Sequence, residues 1–261
     1  MQKISFTKMV ASGNDFVVID KKPAGSLCAL ARVLCDRKFG AGADGLLLIS
    51  KAKNTDLHMR IINADGSEAE MCGNGARCVA LFSGKKKIKI RTLAGIINAR
   101  VYGNQVKIQL TDPKQIKLDI PLNVAGRLIK VNFINTGVPH VVIFVDGLDK
   151  MDVTGIGCLI RWHLKFSPAG TNVNFVEVKD DNLIRIRTYE RGVEGETLAC
   201  GTGSTAAALI FALKNNLKTP VKVKTQSGEV LKIYFNKDDE RFRGVWLEGS
   251  AKIAYKGEYY V

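Results

Sequence analysis

The chain has 261 residues, 46% hydrophobic and 25% charged, a balance that builds packed cores and excludes a disordered or fibrous chain. No apolar run approaches the roughly 18 residues needed to span a bilayer, so no membrane partner is expected. Lys and Arg number 39 against 25 acidic residues, a formal charge of +14. No aromatic-rich RNA motif or zinc-finger spacing accompanies that excess, so a solvated, lysine-rich surface accounts for it better than nucleic acid.

The first residues, Met1 to Thr7, alternate polar and apolar like a strand and lack the continuous apolar core of a signal peptide, which points to a cytoplasmic protein. Strands are predicted at 4–9, 16–19, 46–49, 57–63, 88–92, 96–101 and 106–110, with a hairpin turn at Tyr102-Gly103-Asn104-Gln105. Helices are predicted at about 26–37 and 75–83, the second followed by Lys85-Lys86-Lys87, cations that suit a helix C-terminus. Residues 111–126, with two prolines, read as a segment crossing between domains. Strands are predicted again at 128–134, 140–145, 174–178, 184–189, 221–225 and 230–235. A helix at about 203–214 is apolar nearly all round and should be buried.

The two halves repeat. Residues 63–76, ending in Met71-Cys72-Gly73-Asn74-Gly75-Ala76, precede one helix, and residues 190–204, ending in Ala199-Cys200-Gly201-Thr202-Gly203-Ser204, precede another. Each has Cys-Gly-X-Gly opening a helix after a strand, with Glu four residues before the Cys. Further upstream, Gly13-Asn14-Asp15-Phe16-Val17 echoes Thr171-Asn172-Val173-Asn174-Phe175-Val176. The duplication predicts two similar, pseudo-symmetric domains, residues 1–112 carrying Cys72 and 113–247 carrying Cys200. A C-terminal strand over 248–261 can return to the first. The two helix starts would then face one cleft.

A helix N-terminus presents unpaired N–H groups and a partial positive charge, which favours a thiolate and holds a carboxylate. Two such sites facing one carbon suit stereoinversion: one thiolate removes an α-proton and the opposite thiol returns one. N–H groups aimed at the substrate carboxylate would stabilise the carbanion. A single Cys before Gly is more often small buried packing, but two in matched settings are harder to explain that way. Gly201-Thr202-Gly203-Ser204-Thr205 lacks the Gly-Lys-Ser/Thr ending of a phosphate loop. Cys28, Cys35, Cys78 and Cys158 have no comparable setting, and with no CxxC pair a structural zinc site is not expected.

At these residues the sequence resembles the diaminopimelate epimerase family. The matching blocks are Gly13-Asn14-Asp15-Phe16, Asn63-Ala64-Asp65-Gly66-Ser67, Met71 to Cys78, Gly170-Thr171-Asn172-Val173-Asn174-Phe175, and Tyr189 to Glu194 through Ala199-Cys200-Gly201-Thr202-Gly203. The resemblance implies two α+β domains, each a mostly antiparallel, barrel-like sheet around a central helix. It implies conversion of LL- to meso-diaminopimelate on the route to lysine and peptidoglycan, in a homodimer without pyridoxal phosphate, other cofactor or metal. Cys72 and Cys200 would be the acid–base pair. The side chains of Asn14, Asn63, Asn74, Asn172, Glu190 and Arg191 would bind substrate, with backbone N–H groups of Gly73, Gly201 and Thr202. His140 would support the protonation of a catalytic thiol; the plainer account is a satisfied strand-start histidine. The sequence departs from the family twice. Gly45 follows Asp44 where a Gln is common, and Val138 stands in Gly137-Val138-Pro139-His140 where an Asn is common. A related cofactor-independent racemase acting on another amino acid is the alternative.

Overall fold

A computed structural model of the chain describes residues 2–261; Met1, the first residue of the alternating N-terminal stretch, lies outside the described residues. The chain divides into two compact units, Met1–Gln109 with Gly249–Val261, and Leu110–Glu248.

Unit 1 runs β1 (Lys3–Ala11), β2 (Asn14–Ile19), α1 (Leu27–Leu34), β3 (Gly45–Ser50), β4 (Leu57–Asn63), β5 (Glu68–Ala69), α2 (Gly73–Phe82), β6 (Lys87–Thr92), β7 (Gly95–Tyr102) and β8 (Gln105–Gln109). After β9 (Lys114–Val124), unit 2 repeats that order. It runs β10 (Arg127–Asn135), β11 (Pro139–Phe144), α3 (Val153–Arg161), β12 (Asn172–Asp180), β13 (Leu183–Glu190), β14 (Gly195–Thr197), α4 (Gly201–Lys214), β15 (Val221–Lys224), β16 (Val230–Asp238) and β17 (Arg241–Ser250). A last strand, β18 (Lys252–Tyr260), pairs antiparallel with β1, as β9 pairs with β10.

The ladders repeat as well. β1–β2 and β10–β11 are antiparallel, β2–β3 and β11–β12 parallel, β3–β4 and β12–β13 antiparallel. β4 then takes β5 antiparallel and β6 parallel on its other side, as β13 takes β14 and β15. Each unit's sheet curls round one helix. α2 touches β1, β2, β3, β4, β6, β7 and β8, and α4 touches β10, β11, β12, β13, β15 and β16. The sequence explains why. β6 (KIKIRT) and β15 (VKVK) alternate exposed cations with buried aliphatics, so one sheet face is apolar. α4 is buried continuously from Gly203 to Ala212, as a helix apolar on all sides must be.

Two stretches differ from the sequence-based expectation. Residues 111–126 are not a bare crossing segment: they hold β9, whose Pro121 lies opposite Lys130 of β10 and gives no ladder N–H. Register shifts along the pair and positive φ at Gln115 and Asp119 bend the strand, which blurs its period in sequence. The helix α3 was not expected at all, because Val-Thr-Gly-Ile-Gly has poor helix propensity. Asp152 caps it through Gly155 N (2.8 Å). Gly157 lets it lie against β13: a Cβ there would sit 2.6 Å from Tyr189 Cβ. In the repeat α3 is the counterpart of α1.

Candidate active site

Each motif cysteine caps a helix. Cys72 is extended (φ −139°, ψ 119°) and its Sγ accepts from Gly75 N at 3.4 Å. Cys200 is extended (φ −115°, ψ 113°), and its Sγ accepts from Gly203 N at 3.4 Å and lies 3.4 Å from Thr202 Oγ1. The sulfur thus stands where a Ser or Asp cap oxygen would. The N–H groups of Gly73, Asn74, Gly201 and Thr202 open the two helices, where backbone donors lack intrahelical partners.

The ladders fix which positions correspond. Asn63 ends β4 opposite Gly45, and Gly45 is opposite Phe16. In unit 2, Tyr189 faces Val173, so one step on Glu190 faces Asn172, and Asn172 is opposite His140. Asn63 therefore corresponds to Glu190, Gly45 to Asn172, Phe16 to His140, and Asn14 to Val138. This corrects the sequence echo, which set Asn14 against Asn172. Counted from β1 and from β10, Asn14 starts the second strand of its repeat and Asn172 the third. The two departures fall on this frame: unit 1 keeps the first polar position and has Gly45 at the second, while unit 2 has Val138 at the first and keeps the second.

In unit 1 the structure brings Asn14 and Asn74 together: Asn74 Nδ2 donates to Asn14 Oδ1 (2.5 Å), and Asn14 Nδ2 donates to Asp44 Oδ2 (2.9 Å). Asn74 Oδ1 accepts from Arg77 Nη2 (2.7 Å), which also reaches Ser12 Oγ (2.5 Å). Arg37 bridges Asp44 Oδ1 (2.7 Å) and Asp15 Oδ1 (2.8 Å), and Lys8 Nζ lies 2.6 Å from Asp15 Oδ2. Burial pushes the Asp15 carboxyl up, but the hydrogen bonds and charges of Arg37 and Lys8 prevail and hold it at about 2. Asn63 stands apart at the exposed end of β4, where its Nδ2 donates to Ser67 Oγ (3.0 Å).

In unit 2, Asn172 is buried. Its Nδ2 donates to Pro139 O (2.9 Å) and its Oδ1 accepts from Arg191 N (2.9 Å). It thereby ties the Glu190–Arg191 turn to the start of β11. The Arg191 guanidinium donates to Ala169 O (2.9 Å). Glu190 Oε2 accepts from Thr197 Oγ1 (3.0 Å), and burial raises its carboxyl above the ordinary value. Beside Val138, Asn135 closes its own turn: its Oδ1 accepts from Gly137 N (3.0 Å).

His140 is fully buried and its tautomer follows from its neighbours. Asn174 Nδ2 donates to Val141 O (2.8 Å), and a carbonyl only accepts, so the amide orientation is set. The other hydrogen on that nitrogen points to His140 Nδ1 (3.1 Å), which must accept, leaving the ring proton on Nε2. Nε2 is buried with no hydrogen-bond partner. Burial, helped by the charge of Arg191, drives the imidazole pKa down to about 3, so it is neutral at physiological pH. Asn174 Oδ1 accepts from Thr188 Oγ1 (3.0 Å), and a Cβ on Gly203 would come 2.3 Å from that oxygen.

Sequence reasoning missed Asp44, Arg77, Asn174 and Thr188 as members of these networks. Asn174 left a faint signal, an Asn on the buried strand Asn-Val-Asn-Phe-Val where apolar residues are the rule. Among the described residues no group of three or more His, Cys, Asp or Glu side chains could hold a metal ion, and no helix is long and apolar enough to cross a membrane.

Two repeated units, each a sheet round a capped helix, define the fold shared by solved structures of a Bacillus anthracis phenazine biosynthesis protein of the PhzF family and a probable proline racemase from Agrobacterium radiobacter K84. The first has a TM-score of 0.76 at 16% identity, covering 100% of both chains; the second has 0.71 at 16%, covering 99% of this chain and 92% of that one. The family itself is given by sequence. The diaminopimelate epimerase family model matches residues 6–116 and 132–254, and the diaminopimelate epimerase of Aquifex aeolicus is 45% identical over 97% of each chain. The chain belongs to the diaminopimelate epimerase family.

Proposed function

We propose that the chain epimerises LL-2,6-diaminopimelate to the meso form by two-base proton transfer at one α-carbon, with Cys72 and Cys200 as the pair. The carrying observation is that both cysteines cap helices at corresponding places in the two repeats, each with a glycine N–H on its sulfur. One thiolate takes the α-proton and becomes a thiol. The other thiol gives its proton to the opposite face and becomes a thiolate, so the reaction balances and the roles exchange with direction. The electron pair left on carbon delocalises into the α-carboxylate, which backbone N–H groups of Gly73, Gly201 and Thr202 stabilise. Two thiolates in one site would repel, so their titrations are coupled and one starts protonated.

Asn14, Asn63, Asn74 and Asn172 supply polar contacts to the substrate, Glu190 takes an ammonium and Arg191 the distal carboxylate in a fork. The neutral His140, with its proton on Nε2, supports the charge state of a thiol. No cofactor or metal takes part, the protein works in the cytoplasm, and it assembles as a homodimer. A second reading, a racemase of a different amino acid, is favoured by Gly45 and Val138, which leave one position in each unit without a polar side chain. The test is LL-diaminopimelate in deuterated water, followed by NMR. Deuterium entering one α-position with formation of the meso isomer is the expected result. No exchange at high enzyme concentration, with exchange into another amino acid, would replace the first reading by the second.

A further inference from the structure

The third residue of the Cys-Gly-X-Gly motif is where the two repeats part. In unit 1 it is Asn74, whose side chain bonds to Asn14 and to Arg77. In unit 2 it is Thr202, whose Oγ1 lies 3.4 Å from the sulfur of Cys200 itself. The first turn of α4 fixes the backbone there, and Thr136, a buried residue, donates its hydroxyl to Thr202 O (3.1 Å). The proton of the Thr202–Cys200 contact depends on the charge of the sulfur. Beside a neutral thiol either group can donate, but a thiolate has no proton, so the hydroxyl must. A hydrogen bond to a charged acceptor is about twice as strong as one between neutral groups. The contact therefore stabilises the charged sulfur more than the neutral one and lowers the thiol pKa.

We propose that the Thr202 hydroxyl is a positioning group for the Cys200 thiol: it donates to the sulfur and favours the thiolate, a role separate from that of the Thr202 backbone N–H. Its catalytic consequence rests on the reading of Cys200 as one of the acid–base pair. The strands of unit 2 that pack on α4 bring few other ionisable groups to this end of the helix. Alternation puts His140 of β11 and Glu190 of β13 on the same face as Asn174 and Thr188. His140 is neutral, and burial raises the Glu190 carboxyl. Lys222 and Lys224 of β15 and Lys232 of β16 take the opposite face, between the buried Val221, Val223, Leu231 and Ile233. β10 contributes Asn132 and Ile134, and the Arg191 guanidinium, just past β13, donates to Ala169 O. To these Thr202 adds a donor in contact with the sulfur.

The test compares Thr202→Val with Thr202→Ser. Valine removes the hydroxyl and keeps the branched shape and the backbone N–H; serine keeps the hydroxyl. Both are made in wild type and in Cys72→Ala, where Cys200 titrates without a second catalytic thiol. In reduced Cys72→Ala protein, the rate of iodoacetamide alkylation at Cys200, read by peptide mass spectrometry against pH, gives the thiol pKa. Thr202→Val should raise it by about one pH unit, the scale of one hydrogen bond to a charged group. Thr202→Ser should return it to within about 0.3 of the parent. With both cysteines present, Thr202→Val should lower kcat for diaminopimelate about fivefold and change KM by less than about twofold, because the backbone donors remain. An unchanged Cys200 titration in Thr202→Val, or a shift that serine does not restore, overturns the proposal. A raised KM with unchanged titration also overturns it and gives the hydroxyl to the substrate instead. The alkylation needs no turnover. A shifted titration in a protein whose wild type leaves diaminopimelate untouched therefore keeps the role of the hydroxyl on the sulfur and rejects the proposed function alone.

Discussion

Both cysteines sit on the same turn, but the layer under each turn differs in kind. Under Gly75 of unit 1 lies Leu47, across the ladder from Ile61, with Phe16 on the neighbouring strand; all three are buried and apolar. The corresponding residues of unit 2 are Asn174, Thr188 and His140, buried and joined to one another by hydrogen bonds. The first unit shows that this fold closes well over an oily layer. The polar version gains nothing in burial and must satisfy several groups that water would otherwise solvate. It leaves His140 Nε2 without a partner. A cost borne in one repeat and avoided in the other points to function, and it makes the surroundings of the two thiols unequal.

The comparison breaks most sharply at the thiols. Cys72→Ala and Cys200→Ala should each lower epimerisation about a thousandfold or more, as loss of a general acid or base does. A variant keeping near wild-type turnover would show that one half suffices. Exchanging the layer is the next test. The triple variant His140→Phe, Asn174→Leu, Thr188→Ile gives unit 2 the residues of unit 1. It should fold, and lose about tenfold in kcat, the equivalent of one hydrogen bond near the reacting thiol.

The same variant should change the pH dependence of stability. With His140 at about 3 when folded against 6.5 unperturbed, the unfolded chain binds the extra proton between those values. The contribution of the neutral ring is therefore complete above 6.5 and is lost as pH falls toward 3, at up to ~1.4 kcal/mol per pH unit. Urea unfolding across that range should show this slope flattened in the triple variant.

One methyl group probes the two layers directly. Gly203→Ala puts a Cβ 2.3 Å from Asn174 Oδ1, an atom tied to Thr188, and should destabilise by about 3 kcal/mol. Gly75→Ala meets the mobile end of Leu47 at 3.3 Å and gains helix propensity, so its net change should stay within ~1 kcal/mol. Equal losses in melting experiments would mean that the two layers yield alike. The smallest effect is expected at Glu190. Burial raises its carboxyl, so its protonated form favours folding at low pH and that contribution is lost as pH rises through the folded value. Glu190→Gln should melt slightly higher than wild type at pH 8, with no gain at pH 4, while losing activity.

Much of the fold was legible because its strands alternate cleanly and its central helices are apolar throughout. The candidate site was legible where chemistry and local order coincide: Cys-Gly-X-Gly opens a capped helix at both places where it stands in this chain. What escaped needed pairing across the sheet. Asn14 and Asn172 look alike along the chain, and only the ladders show that Asn14 matches Val138. Asp44 reads as one more acidic residue until it is found accepting from Asn14, 30 residues away. The helix α3 was hidden by the glycines that let it approach Tyr189.

The antiparallel pairing of β1 with β18 carries a consequence for how the chain is made. Phe6 packs edge-on to Tyr255 at 6.0 Å, and Gly257 leaves room for its ring, so β18 covers an edge that β1 would otherwise expose. On the ribosome β1 is made before the whole of unit 2, and its partner β18 after it. Unit 2, being continuous, can complete its sheet while the first unit still carries an open strand edge, the feature most prone to pair with a neighbouring chain. Slow or interrupted translation after residue 250 should therefore yield aggregates seeded by the N-terminal strand, and a chain permuted to begin with β18 should avoid them.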